Sequence, residues 1–146
     1  AELKTFLALF AIPWEEANWL VETCQAQFVL DASNPSNSMI VWSVTLADFS
    51  GNLISLVLDD ECGKILMLSY NGFSNPVDSL NVDSIYNIDQ VAQTIGEYWS
   101  LQASPLTADE TKDFLQYTIY LTDQVNSTEI YLTLFFNYDS SGFSLG

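Results

Sequence analysis

The chain has 146 residues, 49% of them apolar, enough for one ordinary core or two very small ones. Only 15% are charged, yet 19 acids face three lysines (Lys4, Lys64, Lys112) and no arginine. The net charge of −16 repels phosphate backbones and anionic lipid, which makes nucleic acid a poor partner.

There is no histidine, which removes the commonest general base and metal ligand. The two thiols, Cys24 and Cys62, are too few for a zinc site or a disulfide framework. No metal and no cofactor are expected.

The first apolar run, Phe6 to Ile12, is far shorter than the ~20 residues a membrane span needs, so no direct insertion by this segment is expected. The chain starts without methionine, as a processed chain or a piece of a longer one would; a signal peptide or anchor would lie upstream of Ala1.

A first helix is predicted from Pro13, a residue suited to the first helical position, with Glu15 and Glu16 in the first turn. Trp14, Ala17, Val21, Cys24 and Phe28 recur at spacings of three and four, one apolar stripe on which Cys24 reads as a small buried hydrophobe. One bridge between Cys24 and Cys62 is the other reading. Asp31 to Ser38 is a loop by composition.

Three strands follow. Ile40, Trp42, Val44 and Leu46 alternate with Val41, Ser43, Thr45 and Ala47; Ile54, Leu56 and Leu58 share a second face; Asp59 to Lys64 turns into a strand over Ile65 to Tyr70. Residues 71 to 87, rich in Asn, Ser, Asp, Gly and Pro, read as a linker.

The pattern then restarts. Ile88, Val91, Ile95, Tyr98 and Trp99 predict an amphipathic helix, followed by a loop holding Pro105. Leu115, Tyr117, Ile119 and Leu121 give one strand face and Ile130, Leu132 and Leu134 another, and Ser140-Ser-Gly142 turns into a short last strand.

The two halves correspond. Ile40, Trp42, Val44, Leu46 and Asp48 map onto Leu115, Tyr117, Ile119, Leu121 and Asp123 with an offset of 75, and Ile54–Leu58 onto Ile130–Leu134 with an offset of 76. The helix stripe maps with an offset of 74, and Gly63 and Leu66 onto Gly142 and Leu145 with an offset of 79. Elements this small bury a face only by pooling their cores. The expected fold is α+β: two αβββ repeats, each an antiparallel three-stranded meander with one helix on a face. The first repeat spans 1–72, a linker 73–87 and the second repeat 88–146, forming one compact body.

Leu58-Asp-Asp-Glu-Cys-Gly-Lys-Ile-Leu66, after a helix and two strands, resembles the PepSY-type domain of bacterial envelope proteins. The second hairpin of that family typically reads aspartate, two variable residues, threonine, glycine, lysine and an aliphatic. Asp59 (or Asp60), Gly63, Lys64 and Ile65 fit, while Cys62 stands where threonine is usual. The resemblance spans residues 13 to 70 and is weak in the second half, where Asp139-Ser-Ser-Gly142 has no lysine. It implies a secreted or membrane-anchored protein, extracellular or in the cell envelope, that binds a peptide or protein, and it carries no catalytic residues. Asp59, Gly63 and Lys64 are expected to form a structural turn: glycine supplies positive φ and the aspartate accepts turn N–H groups.

Candidate sites are few. Asp59, Asp60 and Glu61 are the densest acid cluster, but lack the alternating ligands of a calcium loop. No pair of carboxylates is singled out by an apolar setting, there is neither a histidine nor a Ser-x-x-Lys signature to serve a serine nucleophile, and the six glycines are scattered. Asn126-Ser-Thr128 matches a glycosylation acceptor and reads as a hairpin turn.

If Leu115, Tyr117, Ile119 and Leu121 face the helix, the opposite face carries Gln116, Thr118, Tyr120 and Thr122 beside Tyr131, Thr133 and Phe135. The first repeat's far face holds Val41, Ser43, Thr45, Leu53, Ser55, Val57, Ile65 and Met67. A solvated face should carry more charge, so both want cover. One reading packs the repeats on each other or on a second copy, a homodimer. The other makes Tyr120, Tyr131 and Phe135 the anchors of a peptide- or protein-binding face.

The leading expectation is therefore a non-catalytic extracytoplasmic binding or regulatory module that uses a sheet face or edge. The alternatives are an acidic nucleic-acid mimic blocking a basic protein, which needs a regular carboxylate array, and a small carboxylate-dependent hydrolase, which needs converging acids in a cleft.

Overall fold

A computed structural model describes residues 2–10, 12, 14–72, 87–105, 108–111, 113–123, 125–137 and 142–146. Among them are two helices, α1 (Glu2–Leu9) and α2 (Ile88–Trp99), and nine strands: β1 (Trp19–Val29), β2 (Met39–Asp48), β3 (Leu53–Asp59), β4 (Ile65–Asn71), β5 (Gln102–Pro105), β6 (Asp109–Glu110), β7 (Phe114–Asp123), β8 (Thr128–Asn137) and β9 (Gly142–Leu145). The fold is α+β.

All nine strands belong to one antiparallel sheet in the order β1-β2-β3-β4-β9-β8-β7-β5, with β6 also paired to β7. The meanders β2–β4 and β7–β9 meet at a seam where Leu68, Ser69 and Tyr70 pair with Leu145, Ser144 and Phe143. Period-two alternation decides the faces. Leu115, Tyr117, Ile119 and Leu121 are buried, while Gln116, Thr118, Tyr120 and Thr122 between them are half-buried.

Both helices serve one core on one side of the sheet. Phe6 and Leu7 of α1 and the following Phe10 join Val91, Ala92 and Ile95 of α2 over Ile54, Leu68, Leu134, Phe136 and Phe143. Phe10 stacks on Phe143 at 3.8 Å, and Phe6 meets Tyr98 edge-on at 4.9 Å. Burying each such side chain contributes about 1.5–3 kcal/mol. The Asn87 side chain caps α2 by accepting from Gln90 N–H, and Ser100, in the left-handed region at φ 58°, ends it. Gly96 lets α2 lie close on the chain entering β5: a Cβ there would sit 2.7 Å from the Leu101 carbonyl oxygen and 2.9 Å from Ala103 Cβ.

Six expectations are corrected. The helix from Pro13 through Phe28 does not form; residues Trp19–Val29 are β1, paired along their length with β2. Trp, Val, Thr, Cys and Phe dominate this segment, weak helix formers that suit a pleated ladder, and β2 offers that ladder. Cys24 is accordingly exposed on a strand, not buried on a helix, and both it and Cys62 are free thiols. The helix of the first half is α1, so the offset of 74 between helix stripes does not hold.

The two halves also lie edge to edge in one sheet, and their far faces are side by side, not packed on one another. Finally, Ile65 is buried in the helix-side core because a bulge at Val57/Leu58 sets it opposite Leu58. Pro105, placed in a loop, ends the short strand β5. Pro13 and the linker residues 73–86 lie outside the described residues.

Candidate functional site

Strand register builds a surface on the helix-free side. Thr23, Thr45, Ser55, Ser69, Ser144, Phe135 and Gln116 are successive cross-strand neighbours, one row across seven strands. Beside it run Val57 and Met67, then Gly146, Thr133 and Thr118, with Thr133 and Gly146 exchanging two backbone hydrogen bonds. A further row sets Tyr131 against Tyr120 and Tyr120 against Ser104.

None of these residues is charged, on a chain carrying −16. Two shallow depressions of about 250 Å³ each adjoin at Ser69 and Ser144; one reaches Ser43 and Met67, the other Phe135 and Asn137.

The three anchors expected from sequence lie on this face. The rings of Tyr120 and Tyr131 are 5.0 Å apart, and Phe135 lies 5.1 Å from Phe114. Tyr131 is 60% exposed, whereas Tyr120 and Phe135 are half-buried. A hydrogen bond to the Glu129 carboxylate, at the rim, raises the Tyr120 hydroxyl pKa above its ordinary value. Sequence reasoning missed Ser69, Ser144 and Gly146, because Ser69 meets Ser144 only across the seam, which pairs strands far apart in the chain.

Asp59, Gly63 and Lys64 are placed elsewhere. The Asp59 carboxylate accepts from Cys62 N–H at 2.7 Å and Glu61 N–H at 2.8 Å, and these bonds, Cys62 first, hold its pKa below the ordinary range. Gly63 takes φ 67°. Lys64 Nζ donates to the Tyr98 carbonyl at 2.9 Å, at the negative end of α2, and lies over the Trp99 ring at 4.8 Å. The Tyr98 hydroxyl accepts from Ile65 N–H and donates to Glu2. Burial, with Glu2 alongside, pushes its pKa up to about 12. The turn thus clamps the β3–β4 hairpin to both helices.

Comparison with protein-family models, curated proteins and solved structures finds no match.

Three other aspartates have local duties. Asp31, Asp48 and Asp123 each accept backbone N–H groups of their own turn, as Asp59 does. Among the described residues no charged side chain is buried, the one buried side-chain oxygen without a partner is Ser38 Oγ, and no cluster of metal-ligating residues occurs. Three depressions of the described surface, including a cleft of about 590 Å³ between α1 and α2 lined by Lys4, Thr5, Gln90 and Thr94, have no carboxylate in their walls. Asn126 occupies the β7–β8 turn, exposed, with its amide on Asp123.

Proposed function

We propose that this chain is a non-catalytic binding module that captures a peptide or protein against the helix-free face of its sheet. One observation carries the reading: the cross-strand rows from Thr23 to Gln116 and from Tyr131 to Ser104 hold no charged residue, although the molecule is densely acidic. Water does not require such a face to be neutral, and Tyr-rich, charge-poor surfaces suit interfaces. Tyr120, Tyr131 and Phe135 are the anchors. The hydroxyls of Ser43, Ser55, Ser69 and Ser144 offer adaptable hydrogen bonds beside them, and the acidic surroundings favour a partner with basic flanks.

The register supports an internal duplication behind this architecture. Leu46 pairs with Ile54 as Leu121 pairs with Ile130, and Val57 pairs with Met67 as Thr133 meets Gly146, in keeping with the sequence offsets. The strand order, read outward from the seam, is the same in both directions for three strands. The PepSY-type reading, with its extracellular or envelope location, rests on the Asp59–Lys64 hairpin alone, since the helix it included is a strand.

Selection from a displayed library of random peptides tests the binding role, with bound peptides mapped by backbone amide shifts. Peptides should perturb β8, β7 and β3–β4, and the double variant Tyr131→Ala, Phe135→Ala should bind at least about tenfold more weakly while keeping the native circular dichroism. Unchanged affinity, or shifts confined to the helix side, would refute it. If the double variant unfolds, Tyr131→Ala alone, at a 60% exposed side chain, supplies the comparison.

A further inference from the structure

The two ends of the sheet are built differently. At one end β5 and β6 are short, four and two residues, and carry Pro105, Asp109 and Glu110. Short strands, proline and charge are the devices that stop an edge from pairing with another chain. At the other end β1 runs for 11 residues and, among the described residues, pairs with β2 alone.

Every residue of β1 but Trp19 is exposed. Leu20, Val21, Phe28, Val29 and the following Leu30 are 47–67% exposed, and Ile40 beside Phe28 is 45% exposed. Six of the eleven exposed large apolar side chains among the described residues therefore gather at this one edge. The core beneath the helices takes in Val44 and Leu46 of β2 and Trp19 at the start of β1, and leaves Leu20 to Val29 out.

We propose that β1 pairs with β1 of a second copy of this chain, antiparallel about Ala26. A bulge between Val21 and Thr23 ends the regular ladder on one side, next to Glu22, and the Asp31 turn ends it on the other. Between them Thr23–Val29 is regular, uncharged and free of proline and glycine, and Ala26 is its centre.

A two-fold axis through an antiparallel pair keeps opposed residues on the same face. Cys24 then meets Phe28 of the second copy on the helix side, Gln25 meets Gln27 on the other, and Thr23 meets Val29. No charge faces its own copy, because Glu22 falls opposite Leu30. Two molecules of −16 repel each other, so copies approach along neutral strips, and β1 is one that also presents the backbone groups of an edge strand. Pairing joins two nine-stranded sheets into one and puts both helix-free faces on the same side.

Sedimentation equilibrium on the intact chain, from micromolar to submillimolar, tests this without any substitution; a dimer that tightens with added salt is expected. In a Cys24→Ser, Cys62→Ser background, Ala26→Cys should cross-link under mild oxidation, since opposed Cα atoms lie about 4.5–5.5 Å apart, within disulfide reach. Thr23→Cys, which meets Val29, should not. Ala26→Lys, at an exposed position, should return the protein to monomer with its circular dichroism intact. A chain that stays monomeric throughout, even one that takes a foreign peptide along β1, overturns the proposal. So does a dimer that survives Ala26→Lys and fails to cross-link at position 26. Neither result touches the binding role assigned to the helix-free face, which the peptide selection reads separately.

Discussion

Gly63 and Lys64 show how much of this protein is decided within a few residues. Gly63 has open space where a Cβ would go, so Gly63→Ala meets only the strain of φ 67° and should destabilise by about 1 kcal/mol in urea unfolding. Lys64→Ala removes a charged hydrogen bond and a cation over Trp99, and about 1–2 kcal/mol is expected from the same measurement. The turn was legible in sequence because aspartate and glycine at this spacing satisfy their own backbone. The destination of Lys64 was not, because Tyr98 lies 34 residues further on.

At the scale of elements, α2 and the strands β2, β3, β7 and β8 could be read directly, since a single period fits each of them. β1 could not. Its apolar residues fit a spacing of three and four as well as they fit a strand, and only the partner strand decides between them. The helix that does form, α1, is a short ELKTFLAL segment that packs through Phe6 and Leu7, and its apolar residues read in sequence only as a run. How tightly a helix fits its sheet is equally silent in sequence: Gly96→Ala would drive a methyl into the Leu101 carbonyl and Ala103, and should cost about 1–3 kcal/mol with α2 pushed off β5. Amide exchange would show it as lost protection in α2 and β5 ahead of β2 and β3. Equal loss everywhere would mean that the helix contact carries no local strain.

For the whole molecule, charge sets the response to pH. Hydrogen bonds from the Ser33 hydroxyl, then from the Asn34 and Ser33 amides, hold the exposed Asp31 carboxyl at about 2 against an ordinary 3.8, and Asp59 and Asp123 are lowered in the same way. A carboxyl lowered on folding contributes its stability above the unfolded value and loses it as pH falls through the folded one. Relief of the −16 repulsion acts in the opposite sense between neutrality and about pH 4. The unfolding midpoint should therefore rise on acidification from pH 7 to about 4 and fall below that, and at pH 7 added salt should raise it. A midpoint that falls steadily from pH 7 would show that self-repulsion is negligible. Composition alone predicted the acidic surface. The single continuous sheet was not legible, because its seam is a pairing between two strands that neither strand's own sequence announces.

That seam also orders events in time. Tyr70 finds its neighbour Phe143 only after the intervening chain has been synthesised, and closing so long a loop is slow compared with zipping either hairpin meander. Until then β4 waits with one side unpaired, and a nascent chain stalled before residue 142 would hold its first meander as a sticky half.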